Sequence, residues 1–193
     1  RAIRIPAYWN DIEPSPGQYE FADLDWQVNE AATRGAKIVL AVGRKLPRWP
    51  ECHDPSWVAG TDISEVQAKV LTLVHTIVHR YRNNPAIVVW QVENEPFFVF
   101  GICPETDRSF FKREVAEVRA LDKRPVMITE SGELSTWIRG AALADILGIS
   151  TYRIVWNKTF GYLYWPLTPR YYRQRVAAIT PFVAAVVISE LQA

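Results

Sequence analysis

Strand and helix signals alternate along this chain and predict an α/β fold whose parallel sheet curls into a barrel. Six short apolar runs are separated by five helical segments, with no hairpin signal between them. Such strict alternation means right-handed βαβ units and a parallel sheet. Each run also delivers polar or aromatic residues at its C-terminal end: Tyr8-Trp9, Arg44-Lys45, Glu93-Asn94-Glu95, Glu130, Tyr152 and Glu190. A doubly wound sheet concentrates its site at one switch point, whereas a barrel gathers contributions from every strand end on one face. The spread of polar ends favours the barrel, and no Gly-rich phosphate fingerprint argues otherwise.

Residues 2–8 (A-I-R-I-P-A-Y) read as a strand carrying Arg4, and residues 10–21 as a Pro- and Gly-rich loop. Residues 24–34 are helical in pattern, with Gly35 as a C-cap, and residues 37–43 (K-I-V-L-A-V-G) form a second buried strand. A long loop over 44–61 holds Trp49 and Trp57. Ser64 with Gln67 has the spacing of a capping box. The helix it opens carries Val66, Val70, Leu73, Val74, Ile77, Val78 and Tyr81 on one face. A strand over 86–92 is followed by a loop and then a helix over 110–121, with Phe111, Val115 and Val118 at helical spacing. Residues 125–129 (P-V-M-I-T) are a strand ending in Glu130-Ser131-Gly132-Glu133, and 135–143 a short helix. The strand at 145–150 ends in Thr151-Tyr152-Arg153. Next come an aromatic loop at 156–166, a helix at 169–179 and a last strand at 184–189 ending at Glu190.

At 193 residues the chain suits one sizeable core. Its 22 Lys+Arg balance 21 Asp+Glu, so no polyanion partner and no nucleic acid is implied. No apolar run reaches the roughly 18 residues that signal a membrane span. The chain begins and ends within or beside apolar runs, without an initiator Met, and reads as a fragment truncated at both ends. Many of its 8 Trp and 8 Tyr fall in loop segments, where flat amphipathic rings suit partners such as sugars or else cap a large core.

Chemistry points to residues 85–97. The run Ile87-Val88-Val89-Trp90 suits a strand buried on both faces, yet it ends in Glu93-Asn94-Glu95-Pro96. Carboxylates and an amide at a buried strand end are costly to desolvate without a purpose. Pro96 cannot donate to a ladder and stops the strand there. Glu93 and Glu95 are two residues apart, so on an ideal strand both point the same way, and spacing alone does not choose between them.

The stretch W-Q-V-E-N-E-P-F at 90–97 resembles the fourth-strand Asn-Glu-Pro motif of clan A glycoside hydrolases, retaining enzymes built on the TIM (β/α)8 barrel. Arg4-Ile5-Pro6-Ala7-Tyr8-Trp9, then Ile12-Glu13-Pro14 and P-G-Q-Y-E-F at 16–21, looks like the second strand and its loop in cellulase-like and β-galactosidase-like members. Ile188-Ser189-Glu190-Leu191 resembles the seventh-strand end, where the nucleophile lies. The resemblance covers essentially the whole chain as strands two to seven. It implies one catalytic domain over 1–193, an incomplete barrel of about six of eight βα units with the first and eighth strands absent.

By this match Glu95 is the general acid/base, Glu190 the nucleophile and Asn94 the partner of the sugar 2-hydroxyl. Tyr152 resembles the tyrosine that hydrogen-bonds the nucleophile, and Arg4 supplies a cation beside it. Such chemistry needs one carboxyl protonated and one ionised, about 5–5.5 Å apart in retaining enzymes. Glu93 becomes a supporting acceptor. Glu130 and Glu133 are either sugar contacts or solvated loop residues, and Trp49, Trp156 and Trp165 either stack on sugar rings or pack loops onto the rim. His75 and His79 lack the intervening glutamate of a metalloprotease helix, and no metal or other cofactor is expected. Cys52 and Cys103 fall in loops after neighbouring strands; a disulfide between them is expected and would suit a secreted or extracytoplasmic protein. The function implied is a retaining β-glycoside hydrolase acting on a β-linked oligo- or polysaccharide. The alternative is a non-catalytic carbohydrate-binding barrel or an inactive fragment.

Overall fold

A computed structural model describes residues 1–192. In chain order the elements are β1 (Ala2–Pro6), α1 (Trp9–Ile12), α2 (Ala22–Thr33), β2 (Lys37–Val42), α3 (Ile63–Tyr81), β3 (Ile87–Val92), α4 (Arg108–Leu121) and β4 (Val126–Ser131). They continue with α5 (Ile138–Ala141), β5 (Ile146–Tyr152), β6 (Ile154–Asn157), β7 (Gly161–Tyr164), α6 (Pro169–Ile179) and β8 (Ala185–Gln192). The strands β1-β2-β3-β4-β5-β8 form one sheet in that order, every neighbouring pair parallel. One of α2, α3, α4, α5 and α6 crosses over between each successive pair. Arg4 on β1 ion-pairs with Glu190 on β8, although these strands are the two edges of the sheet. The sheet is therefore curled, an incomplete TIM barrel.

The central strands are buried on both faces because helices cover the outside and the curled sheet encloses the inside. β4 is buried at every residue, and β2 and β3 contribute Ile38, Leu40, Val42, Ile87, Trp90 and Val92 to the core. All seven apolar residues expected on one face of α3 are buried. Full burial of such side chains is worth about 1.5–3 kcal/mol each, which makes α3 the main clamp on this side. β8 differs. Its Val187, Ile188 and Leu191 are exposed, as is Ile3 on β1, so apolar surface lies open at both sheet edges.

Several local expectations change. The N-cap of α3 is Asp62, whose carboxylate accepts the Ser64 N–H at 2.8 Å. A carboxylate two residues upstream outcompetes a serine hydroxyl there, and Gln67 instead accepts from Arg113. A short helix, α1, forms inside the first expected loop, and α5 is shorter than the sequence suggests. The absence of hairpins is overturned by β6 and β7, which pair antiparallel, with Trp156 opposite Tyr162. The turn at 158–160 ends at Gly161, whose φ of 69° is easy only for glycine. Cys52 and Cys103 form a disulfide, Cα atoms 5.3 Å apart, joining the loops after β2 and β3. No helix among the described residues is long and apolar enough to cross a membrane.

Candidate active site

β3 delivers its polar end through a sharp change of backbone. Glu93 and Glu95 take up left-handed conformations, φ 56° and 45°, so the two-residue parity of a strand no longer applies. Their side chains part. Glu93 turns back to the loop after β2, where its carboxylate accepts the N–H of Arg44 at 2.7 Å and of Lys45 at 2.5 Å. Glu95 faces β5, where Ser150 Oγ donates to its Oε1 at 2.6 Å. Its own N–H donates to Thr129 Oγ1 at 2.8 Å, and Lys45 Nζ donates to its carbonyl at 3.0 Å. Burial pushes the Glu95 carboxyl up to about 7, with the Glu190 charge adding to the rise and the Ser150 hydrogen bond opposing it. It is the environment of a group poised to exchange a proton near neutrality.

Glu190, on β8, is held in the opposite way. Arg4 Nη2 donates to Oε1 at 2.6 Å, and the Tyr152 hydroxyl donates to Oε2. Burial, and then the Glu190 carboxylate, push the Tyr152 phenol up, which keeps it a donor. β5 organises both glutamates, since Ser150 and Tyr152 stand two residues apart on one face. Ser150 is also in register with Glu190 across the β5–β8 pair, so the hydroxyl on Glu95 springs from the Cα facing that of Glu190.

A net of side chains surrounds Asn94, next to Glu95 in the chain. Asn94 Oδ1 accepts from Thr129 Oγ1 at 3.2 Å and from Gln91 Nε2 at 3.4 Å, which orients the amide. Its Nδ2 donates to Glu51 Oε2 at 3.2 Å. The sequence reading missed Gln91, Thr129, Ser150, Lys45 and Glu51. Thr129 and Ser150 carried a usable signal: each precedes by one or two residues the polar end of its strand, on the parity that faces the lumen. Glu51, far along a loop, carried none.

The structure brings Glu95, Glu190, Arg4, Asn94 and Tyr152 together. It does not bring in Glu130. That carboxyl is fully buried on the outer face of β4, accepting Gly140 N–H at 2.8 Å and the Ser135 hydroxyl. It anchors α5 and has no free oxygen for a sugar, because it stands one residue off the parity of Thr129. Glu133 accepts from Tyr172 OH at 2.6 Å. Trp49, on the loop after β2, and Trp156, on β6, are 69% and 65% exposed. Trp165 is half-buried just after β7, its backbone N–H donating to the Arg153 carbonyl at 2.9 Å. His75 and His79 stack on the exposed side of α3, and His75 bonds Glu117 at 2.7 Å.

A family model described as "Glycosyl hydrolases family 2, TIM barrel domain" matches residues 19–164. β-Galactosidase BgaA of Clostridium cellulovorans is 23% identical over 158 residues, which cover 71% of this chain and 24% of that protein. A β-glucuronidase of Rattus norvegicus is 32% identical over 94 residues, 48% of this chain and 14% of its own length. A solved psychrophilic glycoside hydrolase family 10 endo-β-1,4-xylanase matches with a TM-score of 0.70 at 17% identity, over 97% of this chain and 66% of that one. At that identity the likeness is one of fold. This chain spans about a quarter of the length of the first curated relatives.

Proposed function

This chain belongs to the TIM barrel domain of the family 2 glycosyl hydrolases, and from that premise we propose that it houses a retaining β-glycoside hydrolase site. The observation that carries the reading is the unlike treatment of two carboxyls. Glu95 is buried with one hydroxyl donor, whereas Glu190 is clamped by a guanidinium and a phenol. Unlike environments give two carboxyls unlike roles, the acid and the nucleophile.

In the first step the Glu190 carboxylate attacks the anomeric carbon while the bond to the leaving oxygen breaks and Glu95 gives that oxygen its proton. A glycosyl ester on Glu190 results. Glu95, now ionised, then takes a proton from water as its oxygen attacks the anomeric carbon, and Glu190 departs. Arg4 and Tyr152 hold Glu190 aimed at the anomeric carbon through its two oxygens, and Asn94 offers an amide proton to the 2-hydroxyl. Trp49 and Trp156 extend the site as stacking platforms for further sugar units. The substrate class is a β-linked oligo- or polysaccharide, and the chemistry needs no cofactor. The disulfide suits an extracytoplasmic setting, where thiols are not kept reduced.

The test is hydrolysis of aryl β-glycosides and β-glucans by the full-length protein. Replacing Glu190→Ala abolishes turnover, and added azide partly restores it by attacking in place of the carboxylate. Undiminished activity in that variant would sink the assignment.

A further inference from the structure

Five non-glycine residues have positive φ among those described: Arg48 (91°), Glu51 (76°), Glu93 (56°), Glu95 (45°) and Trp137 (68°). Such backbone is unfavourable for a residue with a side chain and persists only where the surroundings hold it, typically at a site. Three of the five are glutamates that converge on the end of β3. Glu95 carries the proposed proton transfer, and Glu93 ties down the loop after β2. Glu51 has no role yet.

The loop is built to hold Glu51 in place. Its N–H donates to Arg48 O at 2.7 Å, and its carbonyl accepts Leu46 N–H at 2.8 Å. Pro50 O accepts Ile102 N–H at 3.2 Å, and Cys52 is cross-linked to Cys103, so the loop after β3 braces it. The side chain is 7% exposed and lies among charges, with Lys45, Glu190 and Arg4 acting on it through space. One oxygen, Oε2, accepts the Asn94 amide. The other, Oε1, has no protein hydrogen bond among the described residues. A buried carboxyl on unfavourable backbone with a single long hydrogen bond adds little to stability.

We propose that Glu51 is a specificity-determining residue of this site, fixing the Asn94 amide and presenting Oε1 to accept the 2-hydroxyl proton of a neutral β-linked sugar. The inference rests on the reading of Glu95 and Glu190 as the reacting pair. The Asn94 amide and the Glu51 carboxyl then form a donor–acceptor pair beside one substrate hydroxyl, which is both acceptor and donor. A sugar lacking that hydroxyl leaves Glu51 unanswered.

The experiment compares an aryl β-glycoside with its 2-deoxy analogue in the full-length protein and in Glu51→Gly, Glu51→Gln and Glu51→Asp. Glycine suits φ 76°, so Glu51→Gly keeps or raises the melting temperature while kcat/KM on the parent glycoside falls about 10- to 100-fold, the scale of a hydrogen bond to a charged group. On the 2-deoxy substrate the same variant matches the parent protein within about threefold. Glu51→Asp recovers part of the loss. The alkaline limb of the pH profile also moves to lower pH in Glu51→Gln. That change removes a negative charge near Glu95, while the other charges facing it, Glu190 from β8 and Lys45 from the loop after β2, stay. Equal losses on both substrates, or an unmoved limb with unchanged kcat/KM, overturn the proposal. If Glu51→Gly does not fold, Glu51→Gln decides by the same two readouts. Should Glu190→Ala remain active, the pair itself is misassigned; should it die while Glu51 variants behave as the parent on both sugars, only the Glu51 role falls.

Discussion

Two pairs of glutamates meet around the end of one strand, and they are treated in opposite ways. Glu95 and Glu190 share a space lined by Ser150, Tyr152 and Arg4, and each has its own kind of partner. Glu93 and Glu114 are both sealed from water, Glu114 on α4 and Glu93 behind the lumen. Burial pushes both of their carboxyls up, Glu114 well above the usual range. Neither Glu114 oxygen finds a donor among the described residues, so the contact with Glu93 closes only if Glu114 keeps its proton and gives it to Glu93. Arg44 cannot neutralise the pair fully because its guanidinium is bidentate to Asp54. The contrast teaches that carboxyl proximity alone does not make a hydrolase. A pair becomes reactive when its members are unlike and reachable; alike and sealed, it stays out of the chemistry.

The largest effect falls on the open pair: Glu190→Ala should cost about 10⁴-fold or more in kcat, read with an activated aryl glycoside. Glu95→Gln comes next, at about 10²–10⁴-fold. In the parent protein the rate should fall as pH rises through about 7, where Glu95 loses its proton; in Glu95→Gln that limb should vanish. On the sealed pair, Glu93→Ala strands the N–H groups of Arg44 and Lys45. It should lower unfolding free energy by about 2–4 kcal/mol, measured in denaturant. The smallest change is Glu114→Gln, which preserves a donor toward Glu93 and should alter stability by about 1 kcal/mol or less near pH 4. Because the pair holds its proton more tightly folded than unfolded, its stabilisation is present below the ordinary carboxyl range near pH 4.3 and is lost as pH rises through the folded value. Glu114→Gln should flatten that decline, and an unchanged slope would remove the shared proton from the account.

Much of the architecture was legible because periodicity reports burial directly. The helix expected at 169–179 is α6 (Pro169–Ile179) at both ends, and the α3 face came out residue for residue. The hairpin was not legible, since Trp156 and Tyr162 look like loop aromatics until their cross-strand pairing is known. In the site, charges at strand ends stood out at Glu93, Glu95 and Glu190, and the family resemblance chose Glu95 and Arg4. Thr129 and Ser150 carried only the weaker signal of parity, because a small hydroxyl within an apolar strand is ordinary until its inward face is fixed. Glu130 misled for the converse reason: it ends a strand, but on the parity that faces α5. Glu51 depends on a turn, a cross-link and a remote amide, none of which a linear pattern encodes.

The Arg4–Glu190 ion pair spans 186 positions and joins the first strand to the last. Contacts of such sequence separation reward the chain only after the intervening loops have closed, so they complete late. The Glu190 carboxylate, the proposed nucleophile, is therefore without its guanidinium until every strand between has taken its place. Intermediates with most of their helices formed would show native-like circular dichroism at 222 nm and still turn over nothing. Catalytic rate, followed during refolding, should lag behind the recovery of helix, which makes turnover a clock for the closing of the sheet.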